Sequence, residues 1–457
     1  MDSTFFAGWQ TVTIAPTDLR IALFSDSASA RFGGEAIHPV HYFRILRSRG
    51  IETFLIVNAR TRGEMAELFP DEQDRIFYVE DSLLHKILWQ VQRKLPARIG
   101  YFTIGTLSRV LTQGQARKII QKLVAEGRVN VVHQPIPLAV KECSVLYDLG
   151  AATVVGPLNG AMEFPPAFRR RQSAVEAAAM RMGRWASAAM HWLMPGKLRA
   201  TTILVANDRS KAALPAGVRG KVVPLIDNCV DLETWRPAPR TTADPQGSAR
   251  FVYVGRLVDW KAVDLLLEAF AVVAKKSAAT LDIIGDGPLR SKLEAQSARL
   301  GTDGRARFLG WQTQANCARE LTSASALVLP SLYECGGAVV LEAMGSGIPV
   351  IATNWGGPAD YLDASCGILV DPESPGKFVA GLADAMLKLA GDSALCRRLG
   401  HAARQRVVER FDWRMKVDRT LEIYAEAVER FALGQDRPGA REVSEPRVAA
   451  GLARRLG

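Results

Sequence analysis

The chain has 457 residues, 48% of them hydrophobic and 23% charged, enough for two compact domains of roughly 200 residues each. No apolar run reaches the roughly 18–20 residues that span a bilayer, and residues 1–20 lack the basic cluster and apolar core of a signal peptide. The formal net charge is +11, with 25 Lys/Arg against 17 Asp/Glu in residues 1–200 and 33 against 30 in the rest, so the basic excess sits in the first half.

Taken in chain order, short apolar runs alternate with helical periodicity. Ile21–Phe24 reads as a strand, followed by a loop ending in Gly33-Gly34 and a helix over Glu35–Arg49. Thr53–Val57, Val129–His133, Thr153–Gly156, Thr202–Ala206 and Val222–Leu225 are further strands of the same kind. Apolar runs of this length, bounded by turn residues, predict buried parallel strands. Residues 226–248 carry Pro237, Pro239 and the polar stretch Arg240–Ser248, which reads as a linker. A second series follows, with strands at Phe251–Val254, Leu281–Ile284, Ala326–Pro330 and Val350–Ala352. Helices are expected over Lys261–Lys275, Pro288–Leu300 and Gly337–Met344 between them, and over Lys377–Leu389, Leu395–Glu409 and Trp413–Leu433 after them. The pattern predicts an α/β chain of two Rossmann-like, doubly wound domains. The expected division is 1–225, a linker over 226–248, 249–433, and a disordered polar tail over 434–457. The last helix is a candidate to cross back to the first domain.

The basic excess suggests an anionic partner. No helix-turn-helix, RNP or zinc-finger signature is present, so nucleic acid is disfavoured. An anionic membrane surface or a lipid-linked substrate explains the charge better. Leu83–Arg98 and Phe168–Leu198 are basic amphipathic stretches that suit such a surface. The same pattern also fits ordinary helices covering the N-terminal sheet, and that reading carries the greater weight. The six cysteines are scattered with no CxxC pair, so neither a disulfide framework nor a zinc site is expected, and a reducing compartment is.

Pro330–Glu342 carries the strongest chemical signal. It runs from a strand end through Glu334 and the turn Gly336-Gly337 into a helix bearing Glu342. Ligands bind beyond the carboxyl ends of parallel strands. Amides at Gly337 and Ala338 can receive a phosphate, and Glu342 can accept hydrogen bonds from ribose hydroxyls. Arg256 and Lys261 follow the strand Phe251–Val254 and suit a diphosphate, as a planar fork and a point charge. Asn159, in Gly156-Pro157-Leu158-Asn159-Gly160, is a candidate for an acceptor pocket or a structural turn.

This region resembles the Glu-x7-Glu signature of retaining glycosyltransferases of family 4, which have the GT-B fold, with two domains facing a central cleft. Gly255-Arg256-Leu257 with Lys261, Gly285-Asp286-Gly287-Pro288, Asn228-x-Val230-Asp231 and Gly345–Ala352 extend the resemblance over most of residues 220–433. It implies that Arg256, Lys261, Gly33 and Gly34 meet the donor diphosphate, that Gly287 and Trp311 border the nucleoside, and that His133 and Glu334 contact the transferred sugar. Gly336, Ala262 and Cys229 depart from the family pattern, and Gly336 alters the sugar pocket. With no Asp-x-Asp motif, no metal and no cofactor are expected beyond a UDP- or GDP-linked sugar. The implied function is retaining transfer to a glycan or lipid-linked acceptor in envelope or exopolysaccharide synthesis, in the cytoplasm or at the inner membrane face. A silent nucleotide-sugar-binding scaffold and, less favoured, a Rossmann oxidoreductase are the alternatives.

Overall fold

The structure is a computed structural model, and the residues it describes are 18–31, 34–94, 100–137, 139–171, 187, 189–237 and 248–434. Two parallel sheets follow one another in the chain. The first contains β1 (Arg20–Ser25), β2 (Glu52–Asn58), β3 (Ile76–Val79), β4 (Val131–Gln134), β5 (Ala152–Leu158), β6 (Thr202–Val205) and β7 (Lys221–Pro224). Its order is β3-β2-β1-β4-β5-β6-β7. The second contains β8 (Arg250–Val254), β9 (Thr280–Ile284), β10 (Ala306–Gly310), β11 (Ala326–Leu329), β12 (Val350–Thr353) and β13 (Gly367–Val370), ordered β10-β9-β8-β11-β12-β13. In each sheet the strand order reverses once, between β1 and β4 and between β8 and β11. Such a reversal opens a crevice at the strands' carboxyl ends.

β3 and β13 were not expected from the pattern. Both are four-residue edge strands with two half-buried central residues, although their sequences, Ile-Phe-Tyr-Val and Gly-Ile-Leu-Val, are apolar throughout. The expected helix over Glu35–Arg49 is divided into a 3-10 turn, Gly34–Ile37, and an α-helix, His38–Ser48 with Pro39 in its first turn. Proline is tolerated there because the first-turn N–H has no helical partner.

The central strands of the first sheet are buried on both faces. Ile21 and Leu23 of β1, with Val131 of β4, pack in one cluster that includes Trp413, Val417, Ile423, Tyr424 and Ala427. The intervening Ala22, Phe24 and Val132 pack on the opposite face against Ala116, Ile120 and Leu123 of the helix Thr106–Ala125. This is the two-residue alternation of a strand covered on both sides. The helix Trp413–Ala432 therefore covers the first sheet, although its sequence follows the second. The chain passes between the two bodies twice, side by side: the Val230 N–H donates to Phe411 O at 2.8 Å, and the Trp413 N–H donates to Val230 O at 3.3 Å. The sequence division at 249–433 groups that helix with the wrong sheet. The expected tail falls almost wholly on residues 435–457, outside the described residues.

Candidate functional site

The loops after β8 and β11 meet at the switch point of the second sheet. Arg256 follows β8; its side chain is exposed, and among the described residues no carboxylate pairs with it. Lys261 closes the 3-10 turn Asp259–Lys261. Its ammonium donates to the Glu334 carboxylate just past β11. Sequence reasoning placed Lys261 on a diphosphate and Glu334 on a sugar; in the structure the two bind each other.

Gly337 caps the helix Ala338–Gly345 at φ 83°. That left-handed conformation is strained for residues with a Cβ. It turns the chain so that the helix's first amides point into the crevice, where unpaired N–H groups favour an anion. Glu342 lies one turn along. Burial alone pushes its carboxyl up to about 7. With Ala338 and Gln314 it lines a cleft whose other wall includes Gly34, His38 and His41 of the first body. Loops after β1 and β11 thus face each other across one opening. Gly33, predicted beside Gly34, lies outside the described residues.

The remaining predicted residues separate. Trp311 stands just past β10 and is 62% exposed. Gly287 is needed for packing: a Cβ there would lie 2.4 Å from Leu257 O.

His133 does not reach the cleft. It is fully buried in β4, on the face covered by the last helix. Its Nε2–H donates to Gly156 O at 2.6 Å, and its Nδ1 accepts from the Tyr424 hydroxyl at 2.6 Å. Both nitrogens are used, and burial lowers its pKa to about 3, holding the ring neutral. The strand runs one residue further, to Gln134, so His133 belongs to the packed interior and the expected sugar contact is corrected.

Asn159 is also corrected. It is 4% exposed, and its amide donates to Asp227 Oδ2 at 2.6 Å and to Cys335 O at 3.0 Å. It ties the first body to the loop bearing Glu334 instead of lining an open pocket. A buried network continues from it. Asn228 Nδ2 donates to Asp227 Oδ2 at 2.9 Å, Tyr361 donates to Asp227 Oδ1 at 3.1 Å, and His38 Nε2 donates to Asn228 Oδ1 at 3.2 Å. Gly336 packs against this network: a Cβ there would sit 2.1 Å from Asn228 Nδ2. The departure at 336 thus has a steric cause. Nearby, Arg209 grips Asp360 through two bonds, at 3.2 and 2.7 Å, between the bodies. The sequence reading missed Tyr361, Arg209 and Asp360, because nothing local marks residues whose partners lie over a hundred positions away. Among the described residues no group of three or more His, Cys, Asp or Glu is placed to hold a metal ion.

Residues 238–406 match the family model described as glycosyl transferases group 1. A glycogen synthase of Mycobacterium tuberculosis is 32% identical over 207 residues, covering 45% of this chain and 49% of that protein. A D-inositol 3-phosphate glycosyltransferase of Streptomyces bingchenggensis is 33% identical over 246 residues, covering 49% of this chain and 53% of its own. The chain thus spans about half the length of the curated relatives it matches. Among solved structures, a sucrose-phosphate synthase from Thermosynechococcus elongatus superposes with a TM-score of 0.63 at 20% identity, over 91% of this chain and 100% of that one. HepE of Anabaena, solved with UDP and glucose, gives 0.59 at 15%, over 89% and 100%. The architecture is the two-domain GT-B fold.

Proposed function

We propose that the chain is a glycosyltransferase that moves a sugar from a nucleoside diphosphate to an acceptor hydroxyl with retention of configuration. The observation that carries this reading is the switch point of the second sheet. Its loops carry an arginine that pairs with no carboxylate among the described residues, a glycine-opened helix start and a half-buried carboxylate whose pKa burial raises. That set fits a nucleoside diphosphate: Arg256 and the amides at Gly337 and Ala338 take phosphate oxygens, and Glu342 accepts from ribose hydroxyls. The group 1 match over 238–406 supports it.

In the proposed reaction the acceptor oxygen bonds to the anomeric carbon as the bond from that carbon to the diphosphate breaks. The departing diphosphate takes the acceptor's proton on the same face. Arg256 and Lys261 stabilise the charge that develops on the leaving group. Lys261 has three N–H donors, so it can serve a phosphate oxygen while keeping Glu334, which is then held for a sugar hydroxyl. Gly34 borders the phosphates from the opposite wall, and the exposed Trp311 is available to close over the base. The arrangement asks for no metal. A UDP- or GDP-linked sugar is the donor we infer.

A specific surface favours contact with an anionic membrane. On the helix Leu83–Gln92, Leu83, Leu84, Ile87 and Val91 form one stripe and are 77%, 45%, 57% and 43% exposed. Lys86, Arg93 and Lys94 lie exposed beside the stripe. This apolar face with a basic flank is the pattern of an interfacial helix. No described helix is long and apolar enough to cross a membrane. We therefore infer a lipid-linked or envelope glycan acceptor.

The test is a screen of UDP-, GDP- and ADP-sugars for release of the nucleoside diphosphate. Slow hydrolysis of one donor class supports the proposal. Stable, unbound donors throughout would refute it, and binding without any turnover would favour a silent scaffold.

A further inference from the structure

The first sheet has its own switch point, and two side chains there carry buried polar atoms whose hydrogen-bonding capacity is not filled. Asp26 directly follows β1; both its carboxyl oxygens are buried and neither makes a close hydrogen bond, the Gln113 amide being the donor that approaches it. Gln134 ends β4 and is 2% exposed. Its Oε1 accepts from the Ser144 hydroxyl at 2.7 Å, while its Nε2 has no acceptor. The strands are neighbours, with Leu23 in register with His133. By the strand alternation, Asp26 and Gln134 share the face of Ala22, Phe24 and Val132, opposite the one that buries His133. They therefore face the helix Thr106–Ala125, whose Arg109 and Gln113 border Asp26.

The cations near this point are already engaged. Arg109 pairs with Glu142 at 3.4 Å and donates to the Thr106 hydroxyl at 2.9 Å. Lys197 donates to Ala139 O at 2.6 Å and Val140 O at 3.3 Å. What is left over is a carboxyl able to accept two hydrogen bonds and an amide able to donate. Buried polar groups are rarely left unsatisfied, and each exception calls for a ligand, a water or a role. Burial raises the Asp26 carboxyl to about 7, with Arg109 opposing the rise, so the side chain is held in place at a cost to stability.

We propose that Asp26 and Gln134 form the acceptor subsite and that it takes adjacent hydroxyls of an uncharged sugar. Asp26 accepts from the hydroxyls and Gln134 Nε2 donates to a neighbouring oxygen. This rests on the glycosyltransferase reading above and names the chemical class of its acceptor at the point of contact. A phosphate or carboxylate is disfavoured there, because Asp26 and Glu142 would repel it and no cation is spare. Any anionic part of the acceptor lies farther out.

The test is saturation-transfer NMR on the full chain with the nucleoside diphosphate it binds (UDP, GDP or ADP) present. The probes are methyl α-glucoside, methyl α-mannoside and methyl α-galactoside, with methyl α-glucuronoside as the anionic control. At least one neutral glycoside should bind, and more tightly than the glucuronoside. Asp26→Asn and Gln134→Ala should each weaken that binding by about tenfold or more, the worth of a hydrogen bond to a buried charged or amide group, while affinity for that nucleotide stays as in the wild type. Asp26→Asn should also raise the melting temperature, which shows that the variant folds. Absence of any neutral-glycoside binding, stronger binding of the glucuronoside, or glycoside binding indifferent to Asp26→Asn overturns the proposal; the last is the result if only a water sits there. Failure of the wild type to bind UDP, GDP or ADP would count instead against the nucleotide-sugar reading.

Discussion

Lys261 and Glu334 form an ion pair across the switch point of the second sheet, joining the loop after β8 to the loop after β11. Their side chains are 16% and 15% exposed, so each would be costly to leave alone. The pair holds the carboxylate still where a donor sugar would lie. Lys261→Met should therefore lower turnover through Glu334 as well as weaken nucleotide binding. In a double-mutant cycle with Glu334→Gln the two losses should fall short of additive by about 1–3 kcal/mol. Strict additivity in kcat/KM would mean that the residues act separately.

Glu342 makes stability depend on pH. Its carboxyl is raised from an ordinary 4.5 to about 7 by burial, so between those values the folded chain holds a proton that the unfolded chain releases. Stability from this group is present below pH 4.5 and is lost as pH rises to 7. Without nucleotide, Glu342→Gln should be more stable than wild type at pH 8, by on the order of 1–3 kcal/mol, with the gap closing at pH 4.5. Melting curves at the two pH values check this. The same variant should bind nucleotide more weakly.

The buried histidines act in the opposite direction. Burial lowers His133 and His41 to about 3 and His191 to about 4, below the ordinary 6.5. Their stabilising contribution is full above pH 6.5 and is lost as pH falls toward 4 and then 3. The chain should lose stability steeply on that acid limb, as read by denaturant midpoints. His133→Leu should flatten part of the limb. It should also cost about 2–4 kcal/mol at pH 7.5, because the Tyr424 hydroxyl and Gly156 O lose their partner. Nucleotide affinity should not change. A folded variant of wild-type stability that had lost only kcat would restore the catalytic role for His133.

Gly336 is held by close approach. In Gly336→Ala the new Cβ would lie 2.1 Å from Asn228 Nδ2, and the loop or the network must shift. The variant should lose about 2 kcal/mol or more, read by urea denaturation. Adding Asn228→Ala should recover part of that loss, since it removes the clashing amide. No recovery would place the strain elsewhere in the loop.

The helix Leu83–Gln92 gives a fifth prediction. Leu83→Glu with Ile87→Glu should leave stability unchanged, both residues being exposed, and should abolish co-sedimentation with vesicles of anionic phospholipid. Equal binding of wild type to neutral and anionic vesicles, or none to either, would remove the membrane from the account.

Much of the second half was legible in the sequence, because its chemistry is local. Glu334, Gly337, Ala338 and Glu342 fall within nine positions, and a strand end followed by a glycine turn and a helix dictates their geometry. The first half was less legible. The strand run Val129–His133 stops one residue short of the observed end; both side chains are buried, but period two sends His133 under the last helix and Gln134 to the other face. Asn159 could not be placed without Asp227 and Cys335, which are 68 and 176 positions away. Asp26 sits at a strand's carboxyl end like Arg256, but its significance comes from missing partners, which only packing reveals.

The central claim is that a nucleoside diphosphate binds at the switch point of the second sheet. Calorimetric titration of UDP, GDP and ADP into wild type and Arg256→Ala tests it most directly. The account predicts that one nucleotide binds the wild type and that Arg256→Ala weakens it by about 1.5–3 kcal/mol, the worth of a charge-assisted hydrogen bond, with no loss of melting temperature. Binding of none of the three to the wild type, or equal binding to both proteins, would contradict it.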